Sequence, residues 1–192
     1  VTLTSSASSV AENGSALTLT ATLSGATDEE VTVGISTSGT GTEGTDYGTI
    51  SDITISAGST TGTTSFTPTD DSNYEGRETG IIAIDTVSGG SATENGTQSV
   101  TITITDDESA PTVTLTSSAS SIAENSGSSL TLTATLSVAT NANVTVALST
   151  SGTGTEGTDY GTVSDITITA GSTTGTVSFT PTDDSVYEGN ET

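Results

Sequence analysis

Leu17-Thr18-Leu19-Thr20-Ala21-Thr22-Leu23 alternates apolar and polar residues without a break. A side-chain period of two is the mark of a strand with one buried and one wetted face. Working outward, Val1-Thr2-Leu3-Thr4 opens a preceding strand of the same pattern, expected to continue through Val10. Val31, Val33 and Ile35 mark a third strand, Ile53 and Ile55 a fourth, and Phe66 sits in a fifth. Ile82 and Ile84 mark a sixth, and Val100, Ile102 and Ile104 alternate with Thr in a seventh. No window carries a helical stripe. Seven short strands separated by Gly-, Ser- and Asp-rich turns predict an all-β fold, a seven-stranded antiparallel β-sandwich of immunoglobulin-like architecture. Thr on the outward positions fits, because a β-branched polar side chain suits a pleated, half-exposed surface.

The pattern occurs twice. Ser36–Thr49, STSGTGTEGTDYGT, recurs letter for letter as Ser149–Thr162, whereas Glu12 recurs as Glu124, which places a one-residue insertion near Ser126. The expected organisation is a complete repeat over 1–108, a short linker at 109–111 (Ser109-Ala110-Pro111), and a second repeat over 112–192 lacking the last two strands. About 110 residues is the size of one small domain. The chain opens in mid-pattern at Val1, as an excised or mature segment would.

Composition excludes most chemistries. There is one Lys+Arg against 24 Asp+Glu, a net charge of -23, and no His, Cys, Met or Trp. Cys/His zinc sites, disulfides, thiol nucleophiles and His-based triads are therefore ruled out. Nucleic acid is not an expected partner of a chain without a basic patch. No apolar run approaches the ~20 residues of a membrane-spanning helix. Leu, Ile, Val and Phe supply only 36 of 192 residues, a share typical of disordered chains. Their regular placement overrides that expectation.

The predicted topology gathers the carboxylates. With antiparallel connections, the first, third, fifth and seventh strands end at one pole of the sandwich. Glu12 follows the first, Asp46 the third, Asp70, Asp71, Glu75 and Glu78 the fifth, and Asp106, Asp107 and Glu108 the seventh. Two like charges ~4 Å apart repel by about 4 kcal/mol at an effective dielectric of ~20, and Arg77 is the one basic side chain available. Such a pole calls for a hard cation with oxygen ligands, and calcium, which takes 6–8 oxygens, suits crowded carboxylates better than magnesium does. The alternative is a solvated acidic surface that binds nothing specific.

Four segments in order, Val10-Ala11-Glu12, Gly44-Thr45-Asp46-Tyr47, Asp70-Asp71 followed by Glu75 and Glu78, and Ile102-Thr103-Ile104-Thr105-Asp106-Asp107-Glu108, resemble the Calx-β domain. That module occurs in sodium–calcium exchangers, in integrin β4 and in large bacterial surface proteins. The resemblance implies calcium ligands at Glu12, Asp46, Asp70, Asp71, Glu75, Asp106, Asp107 and Glu108, with Glu78 as a further candidate. In the second repeat it implies Glu124, Asp159, Asp183, Asp184 and Glu188, with Glu191 available and no closing triplet. The third member of the triplet is Glu108, where strong binders of the family often carry Asp, which bears on the number of ions.

The two copies differ at the opposite pole, where Asp28-Glu29-Glu30 becomes Asn141-Ala142-Asn143, while every implied ligand present in both keeps its chemistry. Gly39–Gly44 and Gly152–Gly157 match GxGxxG but precede no helix, so they read as strand-connecting loops. Asn13-Gly14-Ser15, Asn95-Gly96-Thr97, Asn143-Val144-Thr145 and Asn190-Glu191-Thr192 are sequons of a kind that arise by chance in so Ser- and Thr-rich a chain. Paired carboxylates such as Asp70 and Asp71 could serve acid–base chemistry, but no aromatic platform or cleft is indicated, and no enzyme is expected. The rows of Thr are read as solvent-facing strand residues rather than an ice-binding array. The expected function is a calcium-stabilised structural repeat of a secreted or cell-surface stalk, adhesin or fibre, bacterial in origin, with the ion at the junction between repeats stiffening the array. The expected partners are neighbouring repeats. The alternatives are a loop-mediated module for a glycan or host protein, and a fibre subunit completed by strands donated from another copy.

Overall fold

The computed structural model describes residues 1–187 and 189–192. Contacts divide the chain into two units, one of Val1–Asp71 with Gly76–Asp107 and the other of Ser72–Glu75 with Glu108–Thr192. In the first region the strands are β1 (Thr2–Ser5), β2 (Ser9–Ala11), β3 (Leu17–Thr22), β4 (Val31–Gly39), β5 (Ile53–Ile55), β6 (Thr61–Phe66), β7 (Asn73–Tyr74), β8 (Glu78–Ser88) and β9 (Ser99–Thr105). Of these, β7 falls in the second unit.

The first unit is a sandwich of a three-stranded sheet, β1-β3-β6, and a five-stranded sheet, β2-β9-β8-β4-β5. The alternation sorts itself between the two faces as expected. Leu3, Leu19, Ala21, Val31, Val33, Ile53, Ile55, Phe66, Ile82, Ile102 and Ile104 are buried between the sheets. Burying an aliphatic or aromatic side chain of this size is worth about 1.5–3 kcal/mol, which is how so small an apolar fraction supports a core. Tyr47 joins it from a loop and stacks on Phe66 with ring centroids 4.7 Å apart.

Two expectations are corrected. The first strand does not run unbroken to Val10. It leaves one sheet after Ser5 and re-forms as β2 in the other, so the unit has eight strand segments. Nor is every pairing antiparallel, because β2 lies parallel to β9, with Val10 opposite Ile104 and Ala11 opposite Thr105. The physical reason is the switch itself: by crossing over, the opening segment closes the edge that β9 would otherwise expose. One segment thereby serves both sheets.

The second unit contains β10 (Val113–Ser117), β11 (Leu130–Leu136), β12 (Ala139–Thr140), β13 (Val144–Val146), β14 (Ile166–Ile168) and β15 (Thr174–Phe179), with a 3-10 turn at Glu124–Ser126. Among the described residues its sheets are β10-β11-β15, β13-β14 and the parallel pair β12-β7. The buried cluster here is Ala134, Leu136, Ile166 and Ile168. Val113 and Leu115 are 45 % and 52 % exposed, whereas Val1 and Leu3, at the matching positions of the first unit, are 8 % and 5 % exposed. β13 spans three residues where β4 spans nine, because β4 is extended by pairing with β8 from Thr32 to Gly39.

Candidate metal centre

Parallel pairing builds the acidic pole. Since Ala11 and Thr105 are partners in parallel strands, the residues that follow, Glu12 and Asp106, leave the sheet side by side. The Glu12 N–H donates to the Thr105 carbonyl at 2.9 Å, and the two carboxylates approach within 4.8 Å. Glu12 is only 4 % exposed, and a buried carboxylate needs hydrogen bonds or a cation to compensate its lost hydration. Its Oε1 accepts the Asp71 N–H at 2.9 Å, which brings in the loop after β6. Asp70, from that loop, and Asp107, after β9, complete a group whose oxygens lie within 4.8 Å of one another and of Glu12.

A second part of the pole is the Asp46 turn between β4 and β5. Asp46 Oδ2 accepts the Thr42 N–H at 2.5 Å, while the Thr45 and Asp46 N–H groups donate back to the Thr42 carbonyl at 3.1 and 2.9 Å. Glu43 braces the same loop, accepting the Thr37 hydroxyl at 2.6 Å and the Ile50 N–H at 2.8 Å. Tyr47 anchors it in the core, and burial pushes its phenol up from the ordinary 10.0, opposed by a hydrogen bond with the Thr37 side chain. Asp46 lies within 4.8 Å of Glu78 at the start of β8. Asp106 also accepts the Gly76 N–H at 2.5 Å.

Of the residues implied by the sequence, Glu12, Asp70, Asp71, Asp106 and Asp107 thus meet at one pole of the first unit, with Asp46 held beside Glu78. Glu75 and Glu108 belong to the second unit by contacts. In that unit Glu124 opens the 3-10 turn, and its Oε1 accepts the Asp184 N–H at 2.9 Å, repeating the Glu12–Asp71 arrangement. Asp159 Oδ2 accepts the Thr155 N–H at 2.6 Å, and its carbonyl accepts the Thr182 N–H at 2.9 Å. Asp183 is exposed in the loop after β15. Glu188 lies outside the described residues.

Two residues went unrecognised in the sequence. Asn13, noticed only as a sequon, donates from Nδ2 to Asp107 Oδ2 at 2.6 Å. Glu43, outside the implied ligand set, braces the Asp46 loop. Its signal was present in the exact recurrence of the loop, Glu156 included, where Thr150 donates to Glu156 at 3.2 Å.

All these donors are carboxylate oxygens, a set that can hold a hard cation and has nothing to offer a soft one. A sandwich of this topology with acidic loops converging at one pole defines a metal-binding β-sandwich module. The chain belongs to the Calx-beta domain family, whose model matches residues 1–108 and again 106–192. Among solved structures, the chain is similar to CBD12 from CALX1.2, at 19 % identity over 97 % of this chain and 77 % of that one, TM-score 0.48. It is similar also to the calcium binding domain CBD12 of CALX1.1, at 20 % identity over 93 % and 74 %, TM-score 0.48. A weaker likeness, 13 % identity over 98 % and 90 % with TM-score 0.39, is to a chaperone–tip adhesion subunit complex of the Csu pili of Acinetobacter baumannii. A search of curated proteins gives no significant match.

Proposed function

We propose that the chain is a calcium-stabilised structural tandem from a secreted or cell-surface stalk, adhesin or fibre, bacterial in origin. The observation that carries this reading is the convergence of Glu12, Asp70 and Asp107 within 4.8 Å in a chain of net charge -23 with one basic side chain. Calcium replaces carboxylate repulsion with ligation and so stabilises the folded unit. Binding to the folded state alone adds RT ln(1 + [L]/Kd), about 2.7 kcal/mol per site at a hundredfold excess. Affinities of about 10⁻⁴–10⁻³ M suffice for an extracellular module. The closing strand β9 ends at Thr105, and Asp106, Asp107 and Glu108 lead directly into Ser109-Ala110-Pro111. An ion held there fixes the root of the linker, and Pro111 stiffens it further.

Calorimetric melting of the whole chain in calcium and in chelator tests the proposal. The expected outcome is a higher melting temperature for the first unit in calcium, with magnesium giving less. Superimposable melts overturn it.

The exposure of Val113 and Leu115 favours a second reading, in which the second unit accepts a hairpin of the β8–β9 type from another copy. A peptide spanning residues 78–105 should then bind the chain and protect the β13 amides from exchange, because β13 corresponds to β4, the strand that pairs with β8. Unchanged exchange rejects strand acceptance.

A further inference from the structure

Asn13 is a neutral side chain set among carboxylates. It is exposed, it follows the buried Glu12, and its amide donates to Asp107 at 2.6 Å. It is also followed by a glycine that the turn itself demands. The Gly14 N–H closes the turn on the Ala11 carbonyl at 2.8 Å, and a Cβ at Gly14 would meet that carbonyl oxygen at 2.7 Å and Val10 Cγ2 at 2.9 Å. Glycine after asparagine leaves the backbone nitrogen sterically open, and asparagine is among the chemically labile residues. The turn therefore holds a glycine directly after Asn13 at the acidic pole.

We propose that Asn13 is a deamidation site whose conversion to aspartate makes the first unit more dependent on a bound cation. The proposal rests on the calcium reading above. The deprotonated Gly14 nitrogen attacks Asn13 Cγ, a C–N bond forms, the Cγ–Nδ2 bond breaks and ammonia leaves. Water then opens the cyclic imide at one of its two carbonyls, giving aspartate or isoaspartate. While the turn is closed, the Gly14 N–H is occupied by Ala11 and Asn13 Nδ2 by Asp107, so conversion proceeds from the opened turn. An ion that holds Asp107 and Glu12 in place slows it. Once formed, a carboxylate at position 13 exchanges a hydrogen bond to Asp107 for like-charge repulsion, and it offers a cation one more oxygen.

The chain carries its own controls. Asn95-Gly96 lies in an exposed loop, where the Asn95 backbone bonds Val1 and Gln98, and a Cβ at Gly96 would meet nothing within 4 Å. In the second repeat the inserted residue gives Asn125-Ser126-Gly127, which separates the asparagine from its glycine.

The test ages the full chain at mildly alkaline pH with calcium or with chelator and locates deamidation by peptide mass spectrometry. Asn95 should convert in both conditions, Asn125 in neither, and Asn13 mainly in chelator. Asn13 remaining intact in chelator while Asn95 converts overturns the proposal, as does equal conversion of Asn13 with and without calcium. In parallel, Asn13→Asp and Asn95→Asp variants are compared by amide exchange of β2 and β9. In chelator Asn13→Asp should exchange about fivefold faster than Asn95→Asp, and calcium should abolish the difference. Equal exchange of the two variants in chelator overturns the consequence assigned to Asn13. Wild-type chain that fails to respond to calcium at all counts instead against the calcium reading.

Discussion

Glu12 Oε1 accepts the backbone N–H of Asp71 at 2.9 Å, and Glu124 accepts that of Asp184 at the same distance in the second repeat. The buried glutamate thus has two duties, as acceptor for the loop after β6 and as one charge of the acidic pole. They separate by substitution. Glu12→Gln keeps an acceptor and removes a charge, so its melting temperature in chelator should equal or exceed that of the wild type while the gain on adding calcium shrinks. Glu12→Ala strands the Asp71 amide, costing about 1–3 kcal/mol, and should lower the melt in both conditions.

Glu43 connects β4 to the loop leading to β5 through Thr37 and Ile50, and so fixes the turn that carries Asp46. Glu43→Ala is expected to weaken calcium binding several-fold in a titration followed by calorimetry. Its effect should also exceed that of removing an exposed acid such as Glu30 at the far pole.

Tyr47 is 1 % exposed, and burial raises its phenol above 10.0. Above pH 10.0 the unfolded tyrosine sheds its proton while the folded one retains it, so the unfolded state is favoured as pH rises through the folded value. That contribution is fully present below the unfolded value and lost above it. Melts of wild type and Tyr47→Phe between neutral pH and pH ~11 should show the steeper alkaline loss in the wild type.

Gly62 lies where β6 passes β5 of the other sheet, and a Cβ there would clash with the Thr54 carbonyl oxygen. Backbone cannot yield as a flexible side chain does. Gly62→Ala should cost about 1–3 kcal/mol by overpacking, read as a lower melting temperature independent of calcium. Gly175 in the second unit, where a Cβ would meet the Thr167 carbonyl oxygen at 2.6 Å, should behave alike.

Much of the sandwich was legible because its signal is local. Leu19 and Ala21 alternate with Thr18, Thr20 and Thr22, and a pleated chain converts that order into an inner and an outer face. The break between Ser5 and Ser9 leaves one trace, since Val10 is out of phase with Val1 and Leu3, but a phase shift does not say which sheet the chain enters next. The switch depends instead on which sheet edge needs a partner. The resemblance implies Asp107 as a ligand, but its hydrogen bond to Asn13 spans 94 positions and has no trace in either local pattern. Glu43 was legible in principle, because its loop recurs letter for letter, yet a brace and a ligand look the same in sequence.

By itself, the order of residues determined that this chain folds as repeated β-structure carrying acidic loops, since alternation and turn chemistry act between near neighbours. Only the tertiary structure decided that β2 runs parallel to β9, which sets Glu12 beside Asp106 and Asn13 against Asp107. Strand pairing between distant segments is chosen by hydrogen bonds and edge closure across the whole sandwich, and those energies exist only once the sheets have formed.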